Sequence, residues 1–329
     1  MLNLRLSLSD LLGSNFTEYV CRASAALGIG SYNHLRSLAD EPIDFFPDSF
    51  SENLEHTLQS FDSLRIPPFT DGSPGAGSNS FRAAFQDGSA PLSGLGYFRF
   101  TESGRPAIAA KSEHYQASLG HNFPGFKLIQ RASEIGISNI THNNTRGHIT
   151  RLLEREIIRV VNSLKAGQEE ELNAVIASEE KHVLNRVINL ETGSLACEAA
   201  VKMMLARFYK LQKNFPTPQN EGKVPVFLVL ADYDGGAEAN YHGTTIITQM
   251  MRGMWQDFYL KLCEAGLFKV VPVKINDSAA FATTVEQFHQ GKYRVAGFIH
   301  ELVLMNYGGI RLEDDFVTQC HKICDENNI

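Results

Sequence analysis

The sequence predicts an α/β protein: a mainly parallel sheet flanked by helices, preceded by an N-terminal region of helices and a β-hairpin. Three observations lead there. From residue 183 onward, strand-length apolar runs alternate with helix-length stretches, the pattern of crossover units in a parallel sheet. The run 226–231, after Pro225, is apolar without a break, as a strand covered on both faces requires. Most of the chemically informative residues follow such runs closely, and ligands gather at the carboxyl ends of strands in sheets of this kind.

Taken in order, residues 1–95 form a first region, with helix-like stretches at 11–38 and 51–64. Ile66, Pro67 and Pro68 then lead into a Gly/Ser-rich run at 71–80 that has little to bury and reads as a mobile loop or linker. Gly75 to Ser78 lack the preceding strand and the lysine of a nucleotide loop. A second region spans 96–170. It begins with a strand pair, 97–100 and 107–110, around a turn at 102–105. A helix over 154–164 follows, with Ile157, Ile158 and Val161 on one side. The third region, 171–329, carries the sheet. Here the pattern predicts a strand at 183–190, then a helix to about Lys213 with Ala199, Ala200, Met203 and Met204 inward. Pro216 and Pro218 end that helix unit. Next come a strand at 226–231, a helix at 245–265 and a strand at 269–273. A helix at 279–290, a strand at 295–302 and a helix at 313–326 complete the series.

Composition narrows the function classes. Hydrophobic residues at 43% and charged residues at 20% are those of an ordinary soluble globular chain. The 30 basic against 37 acidic side chains, a net −7, argue against nucleic acid as a partner. No apolar span is long enough for a membrane helix, and the first 12 residues lack a signal-peptide core, so cytoplasm is expected. Without an export signal the glycosylation patterns at Asn15, Asn139 and Asn143 carry no weight. Cys21, Cys197, Cys263, Cys320 and Cys324 read as reduced thiols. Cys320 and Cys324 share a helical face with Phe316, Val317 and Ile323, which favours buried thiols over a metal site. Asp232 and Asp234 lack the third acid and closing Glu of a calcium loop, so they read as a solvated turn.

The most informative stretch is 191–202. An apolar run enters Thr192-Gly193-Ser194, and a helix of small residues follows. The first turn of a helix carries unpaired N–H groups and partial positive charge, and glycine admits an anion closely. Alone, such a junction is most often a plain connection. Glu301 ends a mostly apolar strand, where a carboxylate is costly unless paired.

Thr192, Gly193, Ser194, Ala196, Glu198, Ala199, Ala200 and Lys202 resemble the Ser-Gly-Thr-Glu-Ala-x-Glu-Ala-Ala-x-Lys signature of class III aminotransferases, with Leu195 in place of the first Glu. Further landmarks occur in that family's order. Tyr241-His242-Gly243-Thr244-Thr245 is similar to its aromatic-His-Gly-x-Thr segment, and Asn276-Asp277 to its Asn-Asp strand end. Phe298-Ile299-His300-Glu301 is similar to its strand ending in Glu, and Gly308-Gly309 with residues 316–327 to the helix after it. Gly120-His121 to Pro124 is a looser match, and the resemblance covers about 97–329.

The resemblance implies part of the fold type I large domain of pyridoxal 5'-phosphate (PLP) transferases and PLP as cofactor. It also implies amino-group transfer between an amino acid or amine and a keto acid. By it, Gly193 and Ser194 cradle the phosphate, Tyr241 stacks on the ring, and Glu301 lies near the cofactor. His242 packs beside the ring or shapes the turn. Apart from the resemblance, Tyr241 reads as a half-buried aromatic at a loop edge. Leu302 stands where the family has Pro, and residues 304–307 lack its second acid, which leaves substrate class open. The family's ring-nitrogen Asp and Schiff-base Lys have no counterpart in this sequence, and Lys202 and Lys213 sit on the wrong helix to replace them. No catalytic residue is therefore assigned. The chain reads as the front part of an aminotransferase, with negligible turnover alone and an exposed strand edge that favours self-association. The complete protein is expected to be a homodimer. The alternatives are a catalytically incomplete subunit that binds a phosphate compound or pairs with a relative, and an aminomutase or decarboxylase on the same scaffold.

Overall fold

Val226, Phe227, Leu228, Val229 and Leu230 are all 0% exposed, and the sheet that positions the candidate site is built around them. The computed structural model describes residues 4–63, 65–73, 75–85, 88–109, 119–138, 145–305 and 307–329. They divide into two units, Met1–Glu156 and Ile157–Ile329. The predicted hairpin end at Ala110 and the sequons at Asn139 and Asn143 lie outside the described residues, as does Leu64.

The first unit opens with β1 (Arg5–Leu6), α1 (Leu8–Leu12), α2 (Ser14–Ala26) and α3 (Tyr32–Asp40). β2 (Ile43–Asp44) pairs antiparallel with β1. α4 (Asp48–Gln59) and α5 (Asn79–Ala84) follow. β3 (Pro91–Leu95), β4 (Phe98–Thr101) and β5 (Pro106–Ile108) form an antiparallel meander, and α6 (Lys127–Glu134) completes the unit's core. That core joins Leu8, Leu12, Cys21, Leu35, Ile43 and Leu128. Ser7 caps α1 through a reciprocal bond with Asp10, which satisfies amides the helix itself cannot. The predicted helix 11–38 is thus three helices, broken at Gly13 and at residues 27–31. Part of the predicted loop 71–80 is already helical, because the Ser78 hydroxyl accepts from Phe81 N–H and starts α5. α7 (His148–Val161) runs across the boundary between the units; Ile158 is buried, but Ile157 and Val161 are exposed.

The second unit continues with α8 (Glu169–Ala177), α9 (Gly193–Leu205), β6 (Val224–Leu230), α10 (Ile246–Met250) and α11 (Gln256–Glu264). β7 (Lys269–Val273), α12 (Ser278–Phe288), β8 (Tyr293–Phe298), β9 (Val303–Leu304), β10 (Ile310–Arg311) and α13 (Asp314–Asn327) follow. The sheet is parallel, in the order β7-β6-β8, and β9 pairs antiparallel with β10. Alternate residues of β6 point to opposite faces. Val226, Leu228 and Leu230 join Phe281, Val285, Phe316 and Cys320 of α12 and α13. Phe227 and Val229 join Val201 of α9 and Met250 of α10. Each fully buried side chain of this kind contributes about 1.5–3 kcal/mol, so the central strand is the firmest part of the frame.

Three expectations need correction here. Residues 183–190 form no strand. Their polar atoms are taken locally: Asn162 Nδ2 donates to the Leu184 carbonyl at 2.8 Å, and Asn185 Nδ2 donates to the Val175 and Ser178 carbonyls. Leu184 and Ile188 are 63% and 60% exposed, so no sheet face covers them. The helix expected over 245–265 is two helices, because Gly253 (φ 85°) and Trp255 (φ 58°) are left-handed and no α-helix continues through them. α9 stops at Leu205, and Met203, expected inward, is 58% exposed. On α13, Cys320 is wholly buried and Cys324 partly so, with burial pushing their thiols up to about 12 and about 11. Among the described residues no helix is long and apolar enough to cross a membrane.

Candidate functional site

The start of α9 supplies the first wall of the site. Thr192 is the N-cap, its side chain accepting from Leu195 N–H at 3.2 Å. Ala196 N–H returns to the Thr192 carbonyl. The amides of Gly193 and Ser194 have no partner among the described residues, and Gly193 is exposed with open space where a Cβ would stand.

The loop after β6 supplies the second wall, and it is held by its own side chains. Asp232 takes three amides, those of Asp234, Gly236 and Glu238; burial pushes its carboxyl up, and the three amides together outweigh it and hold the carboxyl below the usual range. Asn240, 1% exposed, accepts from Leu230 N–H at 3.0 Å and donates to the Leu230 and Ala237 carbonyls. A side chain thereby completes the backbone pairing at the end of β6 and fixes where Tyr241 begins. Gly243 (φ 117°) then lies against Ser194: a Cβ there would be 2.7 Å from Ser194 Cα. Only glycine fits both that conformation and that approach. Thr244 N–H donates to Ser194 Oγ at 3.1 Å, and Thr245 Oγ1 donates to Glu198 Oε2 at 2.7 Å. The loop is therefore tied to α9 along its length.

Glu301, three residues beyond β8, is the third part. Its Oε1 accepts from Tyr241 N–H at 2.9 Å, the partner that its place after an apolar strand demands. Its charge also helps raise the Cys197 thiol on α9, behind the larger effect of burial. The structure thus brings Gly193, Ser194, Tyr241, His242 and Glu301 into one strip at the carboxyl side of the sheet. Tyr241 is 43% exposed, with the Arg252 guanidinium 5.4 Å from its ring centroid. His242 is 4% exposed and its Nε2 has no partner. Burial first, then the positive fields of His300 and Arg252, push it down to about 4, so it is neutral near pH 7.

Asn240 and Arg252 were not singled out by the sequence, and Gly243 and Thr245 entered only as matches to the aromatic-His-Gly-x-Thr segment, with no role given. Asn240 and Arg252 carry no local signal, since both act through contacts formed only when the loop closes on β6 and Tyr241. No group of His, Cys, Asp or Glu among the described residues could hold a metal ion.

No family model and no curated protein matches the sequence. Solved structures do. A transaminase from the marine bacterium Virgibacillus superposes with a TM-score of 0.51 at 16% identity, over 84% of this chain and 54% of that one. The chain has part of the PLP-transferase fold. An adenosylmethionine-8-amino-7-oxononanoate aminotransferase from Methanocaldococcus jannaschii matches at a TM-score of 0.49 and 17% identity, over 85% and 53%. A PMP-bound aminotransferase from Vibrio fluvialis matches at 0.48 and 16%, over 79% and 53%. This chain therefore spans about half the length of the solved structures it matches.

The residues present fit the cofactor of that fold at two points. Two unpartnered amides at a helix start suit a phosphate, and a half-exposed tyrosine on the loop tied to that helix suits an aromatic ring. Among the described residues no lysine bonds or pairs with Ser194, Tyr241 or Glu301.

Proposed function

We propose that this chain binds PLP and serves the transfer of an amino group between an amino acid or amine and a keto acid. The observation that carries this reading is the pair of unpartnered amides at Gly193 and Ser194, with the loop that bears Tyr241 held against Ser194 at Gly243. The two amides donate to the phosphate, and the dipole of α9 favours its negative charge. Ser194 Oγ accepts from Thr244 N–H and shares a second, longer bond of 3.4 Å with Thr244 Oγ1, so when Thr244 is the donor there its own proton can go to the phosphate. Tyr241 offers a ring face, and Glu301 holds its backbone in place. His242 stays neutral and adds no charge beneath the turn. When bound, PLP supplies the electron sink for chemistry at the carbon bearing the amino group. The same reading has the protein work in the cytoplasm as a homodimer.

One observation favours a second reading, a subunit that binds a phosphate compound without turnover: no described lysine bonds to the site residues. Equilibrium dialysis against PLP tests both readings. Saturable binding is expected, displaced by inorganic phosphate and weakened about threefold to tenfold by Ser194→Ala. No binding at millimolar PLP overturns the proposal. Binding without amino transfer from any of a panel of amino acids and amines leaves the second reading.

A further inference from the structure

Within the second unit, Arg159, Arg186, Arg207, Arg294 and Arg311 each donate to a carboxylate or a carbonyl oxygen. Arg252 has neither a hydrogen-bond acceptor nor an ion-pair partner among the described residues. It is not a stray surface group. Its N–H returns to the Gln249 carbonyl at 3.1 Å just past α10, the residue is half-buried, and its guanidinium lies 5.4 Å from the centroid of the Tyr241 ring. Glu301, the acid that holds Tyr241, gives its carboxylate oxygen to the Tyr241 amide.

An arginine fork over an aromatic ring keeps its donors in a plane, and those donors match the two oxygens of a carboxylate. The amides of Gly193 and Ser194 already suit a phosphate, so the site has two separate places for negative charge. We propose that Arg252 recognises a free carboxylate of the substrate that lies on Tyr241, so that the substrates are amino and keto acids and not simple amines. This inference rests on the PLP-binding reading and sharpens it. It also gives the Tyr241 ring a second function, as the platform that orients the guanidinium.

Calorimetry on the PLP-loaded chain provides the test, with succinate as the carboxylate probe and succinamide as its neutral counterpart. The wild type is expected to bind succinate and not succinamide. Arg252→Gln is expected to weaken succinate by about tenfold or more, with Arg252→Lys in between because it keeps the charge and loses the fork. PLP affinity, read by dialysis, should change by less than about threefold, since the phosphate is held elsewhere. Unchanged succinate binding in Arg252→Gln, equal binding of succinamide by the wild type, or loss of PLP instead of succinate each overturns the inference. If Arg252→Gln does not fold, the Lys variant decides by the same criteria. A wild type that binds no PLP fails one step earlier, and takes the PLP-binding reading down with this one.

Discussion

Two helices of the second unit begin in opposite ways. α12 is closed by its own acid: Asp277 accepts from Ala280 N–H at 2.9 Å and pairs with Lys274 at 3.1 Å. The amide bond first, then the Lys274 bond, hold the Asp277 carboxyl below its ordinary value. α9 is capped by the neutral hydroxyl of Thr192, and its first two amides keep no partner. Both ends carry the same partial positive charge. At α12 the chain supplies the anion, whereas at α9 it does not, and it sets an aromatic ring and a free guanidinium nearby. The difference teaches that a helix start becomes a binding place through what is withheld from it.

The largest expected effect concerns His242, the titratable group beside the α9 contact. Its folded value of about 4 against an ordinary 6.5 means that the unfolded chain takes up the proton first. Stability should therefore fall as pH drops below 6.5 and level off near 4, by on the order of 3 kcal/mol. His242→Phe keeps a buried ring and removes this titration. Urea melts between pH 7 and pH 4 should give a shallower acid slope in the variant, with the remainder from His300 and His289, which burial also lowers, and from carboxyls held low, such as Glu41, Asp232 and Asp277. Equal slopes in the two proteins would contradict a neutral, positively surrounded imidazole.

Next comes an exchange of character between the helix ends. Thr192→Asp gives α9 the kind of cap that α12 has. Aspartate is a strong N-cap, so thermal stability should hold or rise. PLP affinity should fall about tenfold to a hundredfold, because a carboxylate then occupies the field meant for the phosphate. A variant that melts normally and still binds PLP as tightly as the wild type would show that the start of α9 is not the phosphate site.

The two helix ends also mark how far the sequence could be read. β7 was expected at 269–273 and occurs at Lys269–Val273, because a short apolar run bounded by Gly266 and Asn276 leaves little choice. β6 and α13 were legible for the same reason, being strong periodic signals with clear stops. Residues 183–190 have an apolar pattern but no ladder, since a strand exists only if another strand receives it. β3 was missed because Pro91 and Gly94 have the composition of a loop, although their strand pairs with β4. In the site, residue types were legible and partners were not. Glu301 clearly needed a donor, yet nothing local indicates that the donor is Tyr241 N–H, 60 positions away. Asn240 standing in for a backbone partner of Leu230 is likewise a property of the closed loop.

The smallest effect is expected at α12 and isolates charge from hydrogen bonding. Asn is also a good N-cap, so Asp277→Asn keeps an acceptor for Ala280 N–H while removing the negative charge. Because the folded carboxyl lies below 3.8, it stabilises the protein above that value, and the contribution disappears as pH falls through the folded pKa. The variant should therefore melt slightly lower than the wild type near pH 7, and the two should converge in strong acid. PLP affinity should not change, and no second phosphate site should appear, since Asn still caps the helix start and leaves no amide opened by the substitution. Melting curves that stay parallel down to pH 2 would mean that the Asp277 charge contributes nothing, and that the two helix ends differ only in shape.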